Sequence, residues 1–501
     1  MKQYKNGTIL HGQDLDDLLF AGIEYNKSCL IEHLSQFNGN DLFHNWLKLL
    51  RCIDEFINLR FAIQPAEWSE IGNYSANILC NKRHFIQLLA IIRYKYGDAV
   101  SERIKLLIVM IASMKMTYQK MGHQGMEFKT IADTIDFFQS RRLYYVSYLS
   151  LIRIYCKGEK KVPFMELLCN FQYQIDFNMR SITSAFHAIL GNNSIDGYGA
   201  IVHDNGLEYT FPYNQLDDFF LEPLAMSELD ILEYEESPVV RNASTCVPRR
   251  LYSYAELEHT VDQVANIFGG YGINECPALE DAKKMVVNLK GRFDEDYFIT
   301  FSEKEFVSFS SEYSHLKLQS VASNYFEALN ERPAFFHYKG LYYSNVLLMI
   351  RYIENAVYGL LRRNRRYRIK AGFVFEKKIK ALLEQYGFES TETKRIHKQE
   401  FDVICMKDGC AYNFQCKNNF LDINTVCPDN IKQVCRQNKR LAKYYLKALD
   451  KENFRTKLVQ EHFDVNRVEN YVVARFPVVS NHERIIPYNK LEGWLVKFTS
   501  K

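Results

Sequence analysis

The stretch EFDVICMKDGCAYNFQCKNN, residues 400–419, constrains the fold more tightly than any other part of the chain. Two apolar runs flank Asp408 and Gly409, and Asp-Gly between such runs is typical of a two-residue β-hairpin turn. A turn at these two residues fixes the register of the hairpin. In that register Asp402 lies opposite Gln415, which predicts that their side chains meet.

The same register gathers polar groups on one side of the hairpin. Directly opposed residues of an antiparallel pair have Cβ atoms about 4.5–5.5 Å apart. Lys417 lies two residues beyond Gln415, so it points to the same side as Gln415 and Asp402. The other side is apolar and suited to packing under a helix. It carries Phe401, Val403, Cys405, Tyr412, Phe414 and Cys416.

The three polar residue types suit metal-assisted hydrolysis of a phosphodiester. Asp402 and the side-chain oxygen of Gln415 are hard ligands of the kind Mg²⁺ prefers, with Mn²⁺ as a substitute. Lys417 is suited to orient or deprotonate the attacking water and to offset charge on the phosphate oxygens. The alternative is a solvated strand face, on which Asp402 and Lys417 form a diagonal ion pair and Gln415 is merely polar.

A helix is predicted just before the hairpin. The segment 371–386 has apolar residues at helical spacing, and Gly387 follows where a C-terminal cap is expected. Glu376 lies at the margin of the apolar stripe, from which it can lean over the end of the sheet toward Asp402. The alternative places Glu376 in solvent beside Lys377.

Taken together, these segments resemble the PD-(D/E)XK phosphodiesterase superfamily, most closely its Mrr-like restriction-endonuclease branch, in which the second acidic position is often Gln. The resemblance covers residues 365–501. It is carried by Gly372, Glu376, Gly387-Phe388, Glu400-Phe401-Asp402-Val403 and Phe414-Gln415-Cys416-Lys417.

The resemblance implies a restriction-endonuclease-like α/β domain with a mixed central sheet. It also implies that Asp402, Gln415 and Glu376 surround the metal and that Lys417 positions the water. The sequence departs from the family pattern at two positions. Gln415 supplies no charge, which keeps open a domain that binds nucleic acid without cutting it, and Glu400 stands where the Mrr-like pattern commonly has Gly.

Charge is distributed unevenly along the chain. Residues 361–501 contain 29 Lys and Arg against 16 Asp and Glu, whereas residues 1–360 contain 34 against 44. The basic excess suggests contacts to a nucleic-acid backbone. The alternatives are the exposed end of a helix that begins near Ser344 and an ordinary solvated helix face. The candidate phosphate contacts are Arg362, Arg363, Arg365, Arg366 and Arg368 in one run, and Lys432, Arg436, Lys439, Arg440 and Lys443 on one face of a helix predicted over 429–449.

The whole chain is predicted to be a multidomain α+β protein. Its 501 residues, 47% hydrophobic and 14% aromatic, can bury large cores. We expect a mostly helical domain over 1–190, a mixed α/β domain with hairpins over 191–360 and the nuclease-like domain over 361–501. The longest apolar run, residues 106–113, is too short to span a bilayer and the N-terminus lacks a secretory signal, which predicts a cytoplasmic protein with no membrane partner.

The expected function is therefore a Mg²⁺-dependent endonuclease acting on double-stranded DNA. The family most often works in restriction or antiviral defence, and the N-terminal region would then recognise substrate or sense a signal. A homo-oligomer is expected because cutting both strands commonly needs two sites. The sequence has no nucleotide-hydrolysing motif, so movement along DNA would require a separate partner protein. The alternatives are an inactive nucleic-acid-binding or scaffold protein and an RNA-directed nuclease.

Overall fold

The computed structural model describes residues 4–63, 65–74, 82–120, 129–204, 206–210, 250–273, 275–418, 428–475 and 478–499. The chain is mixed α/β, with a mostly helical N-terminal part and a mixed sheet near the C-terminus. It divides into two compact units. The sheet unit comprises Met1–Glu24, Ser181–Pro238 and Arg365–Lys501, and the helical unit comprises Tyr25–Arg180 and Val239–Asn364. The three-domain division drawn from the sequence stays a prediction.

The N-terminal part of the chain is helical, as its periodicity predicts. Asn38 begins the second helix by accepting hydrogen bonds from the backbone N–H groups of Asn40 and Asp41, and that helix buries Trp46 against Tyr148. The helices are α1 Gly12–Ser35, α2 Gly39–Ala62, α3 Pro65–Ile71, α4 Lys82–Tyr96, α5 Asp98–Lys120, α6 Ile131–Tyr155, α7 Phe164–Glu166 and α8 Gln172–Ser194, with a π-helical turn at Leu167–Phe171 between the last two.

The rest of the helical unit combines helices with a small antiparallel sheet. The sheet has the order β4-β6-β5, and the predicted hairpin at Lys339-Gly340 joins its last two strands. The apolar alternation of residues 296–310 predicts strand throughout, but the strand ends at Ser302, where a capping box between Ser302 and Glu305 begins a helix. The elements are α9 Tyr254–Gly270, α10 Pro277–Leu289, β4 Phe298–Ser302, α11 Glu303–Ser311, α12 Tyr325–Asn330, β5 Phe336–Tyr338, β6 Leu341–Asn345, α13 Val346–Ala356 and a 3₁₀ helix, Tyr358–Arg363.

The described residues of the sheet unit form three sheets. The first has the order β1-β2-β3, and its predicted hairpin joins β2 to β3, although Asn205 of the turn lies outside the described residues. The second is a two-stranded β8-β9 pair, and the third has five strands in the order β13-β12-β11-β10-β7. The strands are β1 Ile9–Leu10, β2 Ala200–His203, β3 Gly206–Tyr209, β7 Glu389–Ser390, β8 Arg395–Ile396, β9 Gln399–Glu400, β10 Val403–Lys407, β11 Cys410–Lys417, β12 Arg467–Ala474 and β13 Ile485–Pro487.

The five-stranded sheet is mixed. Strands β10 and β11 are antiparallel, and β11, β12 and β13 are parallel to one another. The β10–β11 register pairs Val403 with Phe414 and Lys407 with Cys410, which confirms the register predicted from the Asp-Gly turn. Asp408 and Gly409 have φ values of 49° and 72°, the left-handed conformation that such a turn requires.

Helices cover both faces of this sheet. They are α14 Arg365–Gln385 and α17 Tyr488–Thr499 on one face, and α15 Pro428–Phe454 and α16 Thr456–Phe463 on the other. The first face buries Val403, Cys405, Tyr412 and Phe414, as predicted. The second face buries Ile404 and Ala411. Phe401 packs on this second face, so its predicted place on the first face was wrong.

The helix before the hairpin is longer than its apolar stripe predicts, because it begins at Arg365 within the basic run. It ends as expected. Gly387 has a φ of 78°, its N–H donates to the Glu384 carbonyl, and the next N–H donates to Leu383, which together form a Schellman cap. Among the described residues, no helix has both the length and the apolar character needed to cross a membrane.

Candidate active site

The candidate site lies where β10 begins and β11 ends. Asp402 immediately precedes β10, and its carboxylate accepts a hydrogen bond from the side-chain amide of Gln415. The same carboxylate oxygen, Oδ2, accepts the backbone N–H of Cys416 at 2.7 Å. The predicted meeting of Asp402 and Gln415 is therefore present. The two side chains meet at the end of the strands because the β10–β11 register, which pairs Val403 with Phe414, sets residue 402 opposite residue 415.

Lys417, the last residue of β11, joins the group. Its side chain is half-buried, and its ammonium lies 5.8 Å from the ring centroid of Tyr444 on α15. The positive charge of Lys417 acts to lower the pKa of Asp402. Lys417 thus lies next to α15, and its positive charge influences the Asp402 carboxyl. This arrangement differs from the freely solvated strand face of the alternative interpretation.

Glu376 approaches the same carboxyl from α14. It is half-buried, and its pKa is raised to about 7, first by burial and then by the negative charge of Asp402; Lys394 acts in the opposite direction. Glu376 therefore does not lie in open solvent beside Lys377. The structure brings Asp402 and Gln415 into hydrogen-bond contact, and it places Glu376 and Lys417 where their charges and that of Asp402 influence one another.

Asp402 also has a raised pKa. Burial raises it, and the Cys416 N–H, the charge of Lys417 and the Gln415 amide lower it without cancelling the effect of burial. Asp402 and Glu376 both have raised pKa values, so the charged form of each carboxyl is disfavoured. Nearby positive charge is too weak to reverse this. A cation between them would supply that charge, so the electrostatics of the site favour binding of a metal ion.

The donor set fits Mg²⁺. Glu376 and Asp402 offer carboxylate oxygens, and Gln415 offers a carbonyl oxygen once its amide turns, since its nitrogen now faces Asp402. Within the described part of the chain there is no group of three or more His, Cys, Asp and Glu side chains that could hold a metal. Two carboxylates and an amide are few ligands, but Mg²⁺ keeps several of its waters and needs few protein oxygens.

A buried polar network supports the segment that carries Asp402. Glu452 and Arg455 form an ion pair with an N···O distance of 2.7 Å, and both are almost fully buried. Arg455 also donates to the Glu400 carbonyl at 2.8 Å, and its guanidinium lies 4.4 Å from the ring centroid of Phe401. Arg455 thereby fixes the two residues that precede Asp402.

The same network reaches the central strands. The Asn413 amide donates to Glu452 and to Asn470, each at 3.0 Å. These residues were not among those predicted from sequence. The signal for them is an asparagine within each of two strands, at Asn413 and Asn470, because a buried amide requires hydrogen-bond partners. The side chain of Glu400, at the position where the Mrr-like pattern commonly has Gly, is exposed and accepts from Arg395.

The candidate phosphate contacts lie on three elements. Arg365, Arg366 and Arg368 are exposed on the first turns of α14, and the five basic residues of α15, Lys432, Arg436, Lys439, Arg440 and Lys443, are all exposed opposite its buried face. Arg362 and Arg363 lie on the 3₁₀ helix of the helical unit. Arg363 is exposed, and the side chain of Arg362 is outside the described residues. The helix that begins near Ser344 ends at Ala356, so the basic run is not its end.

Comparison of the chain with models of known protein families, with curated proteins and with solved structures gives no match.

Proposed function

We propose that the chain is a Mg²⁺-dependent endonuclease with a C-terminal domain of the PD-(D/E)XK, restriction-endonuclease-like type. The observation that carries the proposal is the grouping of Glu376, Asp402, Gln415 and Lys417 at one end of a mixed sheet. Two partly buried carboxyls with raised pKa values next to a lysine are uncommon as a structural device, because they destabilise the fold unless something compensates their charge.

Each residue has a defined task in this proposal. Glu376, Asp402 and the Gln415 carbonyl would hold the cation. Mg²⁺ bound there would supply Lewis-acid polarisation of the scissile phosphate and a lowered pKa for water. Lys417 positions the attacking water and balances charge that develops on the phosphate oxygens. The Cys416 N–H keeps the Asp402 carboxylate oriented when the Gln415 amide turns toward the cation.

The basic residues of α14 and α15 support nucleic acid as the substrate, since exposed Arg and Lys bind phosphate oxygens without selecting a sequence. We place DNA first, in a restriction or antiviral setting. Residues 1–360 would then serve recognition or assembly, including a homo-oligomer that cuts both strands. The sequence also contains an acidic stretch, residues 216–238, for which the alternatives are a solvated surface and a segment that competes with DNA for the basic residues; it lies outside the described residues.

Cleavage by the purified protein tests the proposal. Plasmid, linear DNA, single strands and RNA are incubated with Mg²⁺, with Mn²⁺ or with EDTA. We expect metal-dependent cutting that falls by at least about 100-fold in Asp402→Asn and in Lys417→Met, the scale seen when one stabilising group is removed. Asp408→Asn in the exposed turn and Lys497→Met on the exposed face of α17 are matched controls that keep full activity.

The outcomes separate the competing functions. Full activity in both site variants would remove the site assignment. Salt-sensitive binding without cutting under every metal condition would favour the inactive nucleic-acid-binding protein that Gln415 suggests. Cutting confined to RNA would keep the site and change the substrate.

A further inference from the structure

Two exposed aromatic side chains flank the candidate site. Phe373 on α14 is 56% exposed, and Tyr444 on α15 is 47% exposed. Helices α14 and α15 pack on opposite faces of the sheet, so the two rings stand on either side of the strand ends that carry Asp402 and Lys417. Single exposed aromatics are ordinary on protein surfaces, but a pair that brackets a candidate active site requires an explanation.

Phe373 is tied to the site through Lys394. The Lys394 ammonium lies 5.5 Å from the centroid of the Phe373 ring, and the same charge lowers the pKa of Glu376. Phe373 precedes Glu376 by three residues, so the two share a face of α14. Ile369, one turn earlier on that face, is 51% exposed, and Arg365 lies one turn before it. An exposed apolar strip therefore leads from an arginine to a candidate metal ligand.

Tyr444 is tied to the site through Lys417. The Lys417 ammonium lies 5.8 Å from the centroid of its ring. Arg436, Arg440, Tyr444 and Lys447 follow one another at spacings of four, four and three residues, so they share a ridge of α15. All four are exposed. The Tyr444 ring thus lies between basic residues of the ridge and next to Lys417.

The chemistry of this arrangement suits unpaired bases. In a duplex the base faces are stacked on one another and cannot reach an exposed side-chain ring beside the backbone. Surfaces that bind single strands combine cations that follow the backbone with aromatic rings on which bases stack. Phosphate contacts alone would hold a duplex, and for that purpose Phe373, Ile369 and Tyr444 would be superfluous.

We propose that the substrate is DNA with unpaired bases at the cleavage position, in which the bases flanking the scissile phosphate stack on Phe373 and Tyr444. The proposal rests on the proposed function, because it assigns the substrate class of the same site. It replaces the expected intact duplex with a single strand or a duplex that contains an unpaired stretch.

Binding in EDTA tests the inference without cleavage. Fluorescence anisotropy measures the affinity of the full chain for a labelled 20-nucleotide oligo(dT) and for a 20-base-pair duplex at the same salt concentration. We expect the wild type to bind the single strand more tightly. Phe373→Leu and Tyr444→Leu should each weaken single-strand binding by about 5- to 100-fold, the range for one base–aromatic stack, and change duplex binding by less than about twofold.

A matched variant controls for the loss of an exposed ring. Tyr94→Leu removes a 90% exposed ring from α4 of the helical unit and should leave both affinities unchanged. Unchanged affinities in Phe373→Leu and Tyr444→Leu would overturn the inference and point to a protein partner for the rings. An equal loss for both DNA forms would overturn it as well.

Adding Mg²⁺ to the same reactions separates this inference from the proposed function. Ring-dependent single-strand binding without any cleavage would support the inference as a binding mode and contradict the nuclease. Cleavage of the duplex at least as fast as of the single strand, with no effect of the ring variants, would support the nuclease and overturn the inference.

Discussion

The helical unit contains a fully buried carboxylate, Asp54, and the sheet unit contains a partly buried one, Asp402, and the two have different partners. Asp54 in α2 is fully buried and accepts from Arg142 and from the Tyr297 hydroxyl, each at 2.5 Å. Burial acts to lower the pKa of Arg142, but the Asp54 carboxylate overcomes it and the pKa is raised. A cation and a hydroxyl from the protein itself complete the environment of Asp54.

Asp402 in the sheet unit accepts no hydrogen bond from an arginine or a hydroxyl among the described residues. Its two hydrogen-bond donors are neutral amides, from Gln415 and Cys416, and a second carboxyl, Glu376, lies near it. Its pKa is raised, so its charge is disfavoured in the folded chain. The Asp54 carboxylate is therefore paired with a buried cation of the protein, whereas the Asp402 and Glu376 carboxyls keep raised pKa values, and it is at this second pair that we propose a cation binds.

The largest expected effect separates the two carboxylates by stability. Asp54→Asn should lower the free energy of unfolding by about 3–5 kcal/mol, because it leaves the buried Arg142 without its counter-charge. Asp402→Asn should leave the free energy of unfolding unchanged or raise it, because Asn keeps an acceptor and removes a disfavoured charge. Urea denaturation followed by tryptophan fluorescence measures both, with Trp46 and Trp68 reporting the helical unit and Trp494 the sheet unit.

Equal losses in the two variants would break the comparison, because Asp402 would then be as strongly compensated as Asp54. A Trp494→Phe background isolates the signal of the helical unit, and a Trp46→Phe, Trp68→Phe background isolates that of the sheet unit.

Added Mg²⁺ should stabilise the sheet unit. A ligand at 100 times its dissociation constant adds about 2.7 kcal/mol to the free energy of unfolding. We expect such a gain, read from Trp494 fluorescence, in the wild type and in Asp408→Asn, and none in Asp402→Asn. A gain of the same size in Asp402→Asn would place the cation elsewhere in the molecule.

Arg455→Lys should lower the cleavage rate by about tenfold, the lower end of the effect of groups that support metal ligands. Lysine keeps a charge for Glu452 but loses the donor to the Glu400 carbonyl. Because Arg455 is a positioning residue, the loss should appear in kcat and not in KM. Arg467→Lys, at an exposed position of β12, is the control. A change in KM alone would assign Arg455 to substrate binding instead.

The smallest effect is the pH dependence of stability without metal. The pKa of Glu376 is about 7 in the folded chain against an ordinary value of 4.5, so the folded state keeps its proton to higher pH than the unfolded state does. The free energy of unfolding should therefore fall as pH rises from about 4.5 to about 7. Glu376→Gln should flatten this slope and Glu461→Gln, at an exposed position, should not. An unchanged slope in Glu376→Gln would contradict the electrostatics of the site.

Local features of the site were predictable from sequence. The Asp-Gly turn determined the β10–β11 register, and the helical stripe with Gly387 located the helix that carries Glu376. Both depend on neighbouring residues and on backbone conformations that few residue types adopt. Which helices pack on the second sheet face was not predictable. Phe401 and Asn413 are buried by α15 and α16, which lie much later in the sequence.

The composition of the sheet unit was also beyond local patterns. Residues 1–24 and 181–238 belong to the same compact unit as the C-terminal domain. One contact that joins them is the Asn438 amide, which donates to the Ser194 hydroxyl at 3.1 Å and to the Val479 carbonyl at 3.0 Å. The sequence shows that Asn438 lies on the buried face of α15, but it does not show which groups its amide contacts. Those contacts depend on the tertiary fold.

The central claim is that Glu376, Asp402 and Gln415 form a cation site. Crystals of the full chain grown with Mn²⁺ in place of Mg²⁺ test it through the anomalous scattering of the metal. We predict an anomalous peak within about 2.5 Å of a carboxylate oxygen of Asp402, and we predict that the Gln415 carbonyl oxygen faces this peak. Loaded crystals with no peak at Asp402, or with the Gln415 amide nitrogen still donating to the carboxylate, would contradict it.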